Sequence, residues 1–349
     1  MPETQNEKPS LTGIGAVRRK AVSVSREELV KQTRLSPDSP LPVVMEPAVP
    51  EVSLKAWTAS NRDLIDTLLL RHGGILFRNF GVRTDEDFEQ VMRALTSELI
   101  DYTYRSTPRQ QVSGKVYTST EYPADQSIPM HNEMSYASNW PQKIWFFCAQ
   151  TAETGGETPI ADSQRVFARI DPAVRQRFAD RGVMYVRNYG DGLDLTWQNV
   201  FQTESKAEVE ERCRRMGIEL EWKDGGNRLR TRQVCQAVLE HPRTGDPLWF
   251  NQAHLFHVSS LPAEMRETLL STFPEEGLPR NAYYGDGSAI APEDLEEIRR
   301  AYAEESVAFP WQEGDVLLLD NLRVAHGRRP FAGKRRVVVG MAEPMGTGI

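Results

Sequence analysis

Apolar positions first recur at helical spacing at Leu54, Trp57, Leu64, Ile65, Leu68 and Leu69, a stripe that predicts an amphipathic helix ended by Gly73-Gly74. Ile75, Leu76 and Phe77 then predict a short strand. A second helix is expected to carry Phe88, Val91, Met92, Leu95 and Leu99 on one face. From about residue 110 the signal shortens to β-like runs at 114–119, 143–148, 316–319 and 336–339, the last closed by Gly340. Helical stretches are expected between them at about 162–180, 205–216, 262–272 and 291–304. Asp162 and Ser259 suit N-caps, and Pro262 suits a first helical turn. Strands at both ends of the chain around a helical insert predict one β-barrel-like core decorated with helices. Residues 1–40 read as a polar, flexible leader, punctuated by Ser36-Pro37-Asp38-Ser39-Pro40. The expected domain covers 41–349, with the helical insert at about 162–305.

Composition narrows the classes. Of 349 residues, 39% are hydrophobic and 26% charged, the balance of a soluble globular protein. No apolar run approaches the roughly 18 residues that cross a bilayer, and the first residues lack a secretory apolar core. The expectation is a cytoplasmic protein with no membrane partner. The net charge of −7, with Lys and Arg dispersed along the chain, argues against nucleic acid. Cys148, Cys213 and Cys235 stand far apart, so neither a disulfide framework nor a zinc finger is expected. They read as buried thiols in a reducing compartment.

Two of the six histidines stand in settings suited to a metal. On an extended segment, residues two apart share a face, so His131 and Glu133 would aim an imidazole and a carboxylate at one point. Far downstream, the apolar run at 316–319 leads into His326, which would supply a third ligand at the mouth of a barrel. Two His and one carboxylate make the facial arrangement of non-heme iron(II) oxygenases, with open positions opposite. Each feature alone has a blander reading, a surface polar pair for His131 and Glu133 or a core histidine for His326. An anionic cosubstrate needs a cation, and Arg335 and Arg336 follow the turn Gly333-Lys334. Arg336, which leads into an apolar strand, is the first choice for bidentate grip of a carboxylate, and Arg335 the second. Thr158, after the Gly155-Gly156 turn, offers a hydroxyl to the same group.

The blocks "MHNEMSY", "GGETPIAD" and "LLLDNLRVAHGRRPF", in that order, resemble the taurine dioxygenase (TauD/TfdA) and clavaminate synthase-like superfamily. The resemblance runs from about residue 40 to the end. "GGILFRNF", "VYTSTEYP" and "WFNQAHLFH" are most similar to the branch of the syringomycin-pathway aspartyl hydroxylase. It implies a mainly β fold with helices, a double-stranded β-helix (jelly roll) preceded by N-terminal helices. It implies iron(II) on His131, Glu133 and His326, 2-oxoglutarate on Arg336 (or Arg335) and Thr158, and O2 as oxidant. The turn between His326 and Arg336 is shorter than in clavaminate synthase-like members. Halogenating relatives replace the carboxylate with a small residue, so Glu133 implies hydroxylation, desaturation or epoxidation instead.

The implied activity is hydroxylation of an unactivated C–H bond of an amino acid, free or held as a carrier-protein thioester, in specialised metabolite or antibiotic biosynthesis. Cleavage of a small acid in the manner of taurine dioxygenase is the alternative, and would need a second anion clamp. A non-catalytic jelly roll that binds a metal or ligand is a third reading. Polar candidates for the substrate are Arg105, Arg109, Tyr189, Gln198, Asn251, Gln252 and His254, with the run 249–254 foremost. A carrier, being acidic, would need a basic face, for which Arg328 and Arg329 are candidates.

Overall fold

The computed structural model describes residues 29–36, 39–100, 111–118, 122–190, 192 and 195–346. Its centre is an eight-stranded sheet. In spatial order the strands are Val30–Ser36, Ser39–Pro47, Gly74–Phe77, Val316–Asp320, Asn139–Gln150, Arg336–Gly346, Val116–Thr118 and Gln111–Ser113. All its pairings are antiparallel except that of Ser39–Pro47 with Gly74–Phe77. Facing it lies a smaller antiparallel sheet in which Val324–Arg328 runs between Ile128–His131 and Ile160–Asp162. The fold is mainly β with helices, and its two facing layers agree with the expected jelly roll.

Alternation along the central strands explains both cores. Leu317, Leu319, Ile144, Phe146, Val337 and Val339 point between the layers and pack with Ile160 and Val324. Val316, Leu318, Trp145, Phe147 and Val338 point the other way, against the N-terminal helices. A sheet covered on both faces must be apolar on both, which is why 316–319 and 337–339 read as unbroken apolar runs.

The first helical stripe is two helices, Leu54–Ser60 and Arg62–His72, divided at Asn61, and Leu64 on the second is exposed. The next, Asp85–Leu95, starts at a capping box in which the Thr84 hydroxyl and the Asp87 carboxylate each accept a backbone N–H from the other end. It ends before Leu99, which lies in a bridge with Ala342. Gly340 does not close its strand, which continues to Gly346; a Cβ there would collide with Met92 on the Asp85–Leu95 helix. The expected leader is also shorter than drawn, because Val30–Ser36 is a strand paired with Ser39–Pro47.

The insert is α/β rather than helical. Its helices include Ser163–Arg169, capped by Asp162, Pro172–Arg181, Lys206–Arg215, Ala263–Thr272 and Pro292–Glu305. All of these but Ala263–Thr272, which buries no residue, pack on a four-stranded antiparallel sheet, Glu219–Lys223, Arg228–Cys235, Val183–Tyr189 and Arg280–Tyr284 in that order. Val183–Tyr189 is buried at nearly every position and Arg228–Cys235 alternates only in part, so no strand period marked this sheet in the chain. Pro262, not Ser259, caps Ala263–Thr272; Ser259 sits in the 3-10 turn Val258–Ser260. No described helix is long and apolar enough to cross a membrane.

Candidate metal centre

Strand pairing brings the ligand candidates together. His326 on Val324–Arg328 stands directly opposite His131, whose strand ends there. The two imidazole centres are 4.5 Å apart, and His326 Nε2 lies 3.8 Å from Glu133 Oε2. One ligand atom from each of His131, Glu133 and His326 falls within 4.8 Å of the others. Glu133 and His326 are buried and His131 is half-buried, so the cluster sits at the inner end of a cleft. The His131 Nδ1 is 2.8 Å from the Pro129 carbonyl, and donation to that oxygen leaves the Nε2 lone pair for a metal. Phe146 packs its ring at 5.0 Å, edge-on to His326. Two neutral imidazoles and one buried carboxylate on one side of a point fit a divalent transition metal such as iron(II).

The ligand segment is anchored by buried amides. Asn321 accepts the Glu133 N–H at 2.7 Å and donates to the Glu133 carbonyl at 3.0 Å and the Pro141 carbonyl at 2.8 Å. Asn132 donates to the Asn321 carbonyl at 2.7 Å. From the insert, Gln252 donates to the Asn132 carbonyl at 2.9 Å, and His254 Nε2 is 2.9 Å from the Met130 carbonyl. Burial lowers the His254 pKa to about 3, so its ring is neutral and Nε2 carries a proton for Met130. Asn251 donates to the Ala237 carbonyl and accepts the Ala253 N–H. These three side chains were expected around a substrate. The structure instead has all three buried and hydrogen-bonded to backbone groups, two of them bracketing His131, with His254 Nδ1 left unpartnered among the described residues.

A cleft of about 400 Å³, counted to its open mouth, opens beside the ligands. His131, Thr158, His326, Arg328 and Arg335 line it, over an apolar floor of Phe146, Val337 and Val339. Arg335 shares the inward parity of Val337 and Val339, and its Nε donates to the Gly156 carbonyl at 2.8 Å. Gly156, at φ 76°, allows that approach; a Cβ there would lie 2.9 Å from Arg335 Cδ. Desolvation, and then the field of Arg328, push the Arg335 pKa down to about 10. Arg336, the first choice from sequence, points out of the cleft. It is exposed and makes a two-pronged ion pair with Asp85, which raises its pKa. The arginine facing the cleft is therefore Arg335, one residue earlier. The hydroxyl oxygen of Thr158 accepts Trp311 Nε1–H at 3.1 Å, leaving the Thr158 proton to donate elsewhere.

Other expectations fare differently. Arg105 and Arg109 lie outside the described residues. Tyr189 belongs to the insert core, and Gln198 lies on the Trp197–Phe201 helix; neither lines the cleft. Arg328, expected on an exposed basic face, is buried in the cleft wall, while Arg329 beside it is exposed. One sequence signal marks Arg328: it lies two residues past His326 on a strand, hence on the same face.

Residues 37–342 match the model of the "Taurine catabolism dioxygenase TauD, TfdA family". The dapdiamide synthesis protein DdaC of Enterobacter agglomerans is 42% identical over 304 residues, 85% of this chain and 92% of that one. A clavaminate synthase-like protein of Arabidopsis thaliana is 32% identical over 335 residues, 91% of this chain and 98% of that one. Among solved structures, PvcB of Pseudomonas aeruginosa superposes with a TM-score of 0.53 at 17% identity, covering 91% of this chain and 93% of that one. Another report of PvcB describes it as an Fe, alpha-ketoglutarate dependent oxygenase from an isonitrile synthetic pathway. AAD-2, crystallised with Mn(II) and N-oxalylglycine, superposes with a TM-score of 0.52 at 13% identity, covering 92% of this chain and 99% of that one. At such identities the superpositions speak for the fold. The match to the family model over most of the chain, together with the two sequence relatives, makes this protein a member of the TauD, TfdA family of dioxygenases.

Proposed function

We propose that the protein is an iron(II)- and 2-oxoglutarate-dependent oxygenase that hydroxylates an unactivated C–H bond of an amino acid, taken free or as a carrier-bound thioester. The observation that carries the reading is one cleft lined by His131 and His326, whose ligand atoms converge with that of buried Glu133, and by an inward-facing arginine on its wall. His131, Glu133 and His326 would hold the iron. Bound there, iron(II) supplies the redox chemistry by which O2 and 2-oxoglutarate oxidise the substrate, with succinate and CO2 as co-products.

The remaining work belongs to the protein's own groups. Arg335 spends Nε on Gly156 and keeps its terminal amino groups for the distal carboxylate of 2-oxoglutarate. Thr158 donates its hydroxyl proton to the same carboxylate while Trp311 fixes its oxygen. Phe146, Val337 and Val339 keep that end dry, which strengthens the charge-assisted contact. Asn132, Asn321, Gln252 and His254 fix the ligand segment before any cofactor arrives, so little ordering is left to binding.

DdaC, by its name a dapdiamide synthesis protein, supports a place in building a specialised metabolite. Three buried free cysteines, with Cys148, Cys213 and Cys235 each pushed up to about 12 by burial, suit a cytoplasmic setting. With Arg328 buried, a basic docking face for a carrier would have to be built around Arg329 and other exposed cations.

The test is anaerobic titration of iron(II) and 2-oxoglutarate into apoprotein, followed by the weak visible charge-transfer band of the chelate. Its appearance, and its loss in His131→Ala, is expected. No band from folded protein would sink the oxygenase reading in favour of a ligand-binding jelly roll. Amino acids and their carrier thioesters, screened by succinate release, then identify the substrate.

A further inference from the structure

Arg328 is 6% exposed and lies two residues beyond His326, on the face that looks into the cleft. It reaches across to the turn that precedes the His131 strand. Nη1 donates to the Tyr122 carbonyl at 3.0 Å, and Nη2 to those of Pro123 at 2.5 Å and Gln126 at 2.8 Å. The Phe331 N–H holds the same turn through the Ala124 carbonyl at 2.8 Å. The Arg328 guanidinium lies 5.1 Å from the Phe331 ring and that of Arg335 5.6 Å from the same ring, so one aromatic ring serves both cations.

Neither arginine forms an ion pair with a carboxylate among the described residues, and Arg328 Nε is buried with no hydrogen-bond partner there. Two like charges withdrawn from water beside each other oppose folding unless something compensates them. Carbonyl oxygens and an aromatic face compensate only in part. If Arg328 only fastened the turn, its burial beside a second guanidinium would be a cost with no return.

We propose that Arg328 is the second cation of the cosubstrate subsite: its charge draws a dicarboxylate to Arg335, while its amino groups hold the Tyr122–Gln126 turn as the lip of the cleft. This rests on the reading that 2-oxoglutarate binds with its distal carboxylate at Arg335. Arg328 acts through its field and through the turn, and is a positioning residue rather than a catalytic one. One side chain thereby couples the arrival of the anion to the order of the lip.

The test uses the protein loaded with Mn(II), which is redox-silent, and measures dissociation constants calorimetrically for two ligands. One is 2-oxoglutarate; the other is 2-oxopentanoate, which keeps the 2-oxo acid end and lacks the distal carboxylate. Arg328→Met is expected to weaken 2-oxoglutarate about 10- to 30-fold, the scale of one partly buried charge acting across the cleft at an effective dielectric near 20. 2-Oxopentanoate should weaken far less. Arg328→Lys, which keeps the charge, should restore 2-oxoglutarate to within about threefold. Both variants should speed amide hydrogen exchange in the 122–128 peptide, because neither side chain reproduces the three-carbonyl grip. Equal 2-oxoglutarate affinity in wild type and Arg328→Met overturns the proposal. So does an equal loss for both ligands that lysine fails to rescue, since that is the mark of a purely structural residue. Failure of the wild type itself to bind 2-oxoglutarate would instead remove the cosubstrate reading beneath it.

Discussion

Replacing Arg335 and Arg336 by methionine, one at a time, separates two neighbours that the sequence alone could not order. Arg335 faces the cleft with one donor on Gly156 and its terminal amino groups available, so its loss removes a charge-assisted contact to the cosubstrate carboxylate. Such contacts are worth ~1.5–3 kcal/mol, which is about 10- to 150-fold in dissociation constant. Stability should change little. The lost Gly156 bond, ~0.5–1.5 kcal/mol, is offset by relief of a cation that burial already disfavours. Arg336 makes an exposed pair with Asp85, worth ~0–1 kcal/mol after screening, and touches nothing in the cleft. Arg336→Met should therefore bind 2-oxoglutarate normally and melt within a few degrees of wild type. The assay is calorimetric titration of 2-oxoglutarate into each variant with Mn(II), beside thermal melts. A raised dissociation constant in Arg336→Met with a normal one in Arg335→Met would refute the geometric argument and return the role to the residue first chosen from sequence.

His131→Ala and His326→Ala should abolish iron(II) binding and turnover while leaving the circular dichroism spectrum intact; normal turnover by either would show the ligand set to be wrong. Gln252→Leu removes one of three donors on the Asn132 carbonyl, which also accepts the Ser135 hydroxyl and N–H, so it should cost ~0.5–1.5 kcal/mol of stability and, by loosening the segment between His131 and Glu133, weaken iron(II) about 10-fold. Unchanged metal affinity in that variant would reduce Gln252 to packing. His254, held near pKa 3 against an ordinary 6.5, stays neutral in the folded chain while the unfolded chain takes up a proton. Its contribution to stability is thus complete above pH 6.5 and is lost as pH falls toward 3, at up to ~1.4 kcal/mol per pH unit. His254→Gln keeps a donor for Met130 without the titration and should flatten the melting temperature against pH across that window; parallel curves would exclude His254 as the cause.

What the chain determined by itself was local: spacing, period and residue chemistry. His131 and Glu133 were legible because the period of a strand puts positions two apart on one face, and His326 because an apolar run led to it. The Asp85–Leu95 helix was legible because its outer face is polar and its inner face apolar. The arginine parity was not legible, and the reason is burial on both faces. With Val337, Val338 and Val339 all apolar, no alternation marks which side looks inward, and one step along a strand exchanges the faces. Only the packing of Val338 on the helices and of Val337 and Val339 between the sheets turned Arg335 in and Arg336 out, at a point where the register also shifts. Long-range pairing likewise decided that Gln252 and His254 brace the His131 segment, since contacts spanning 120 and 124 residues leave no trace in local periodicity. It also buried Arg328 where a run of two arginines reads as a solvated face, because the strand that carries His326 into the cleft carries the residue two further along with it.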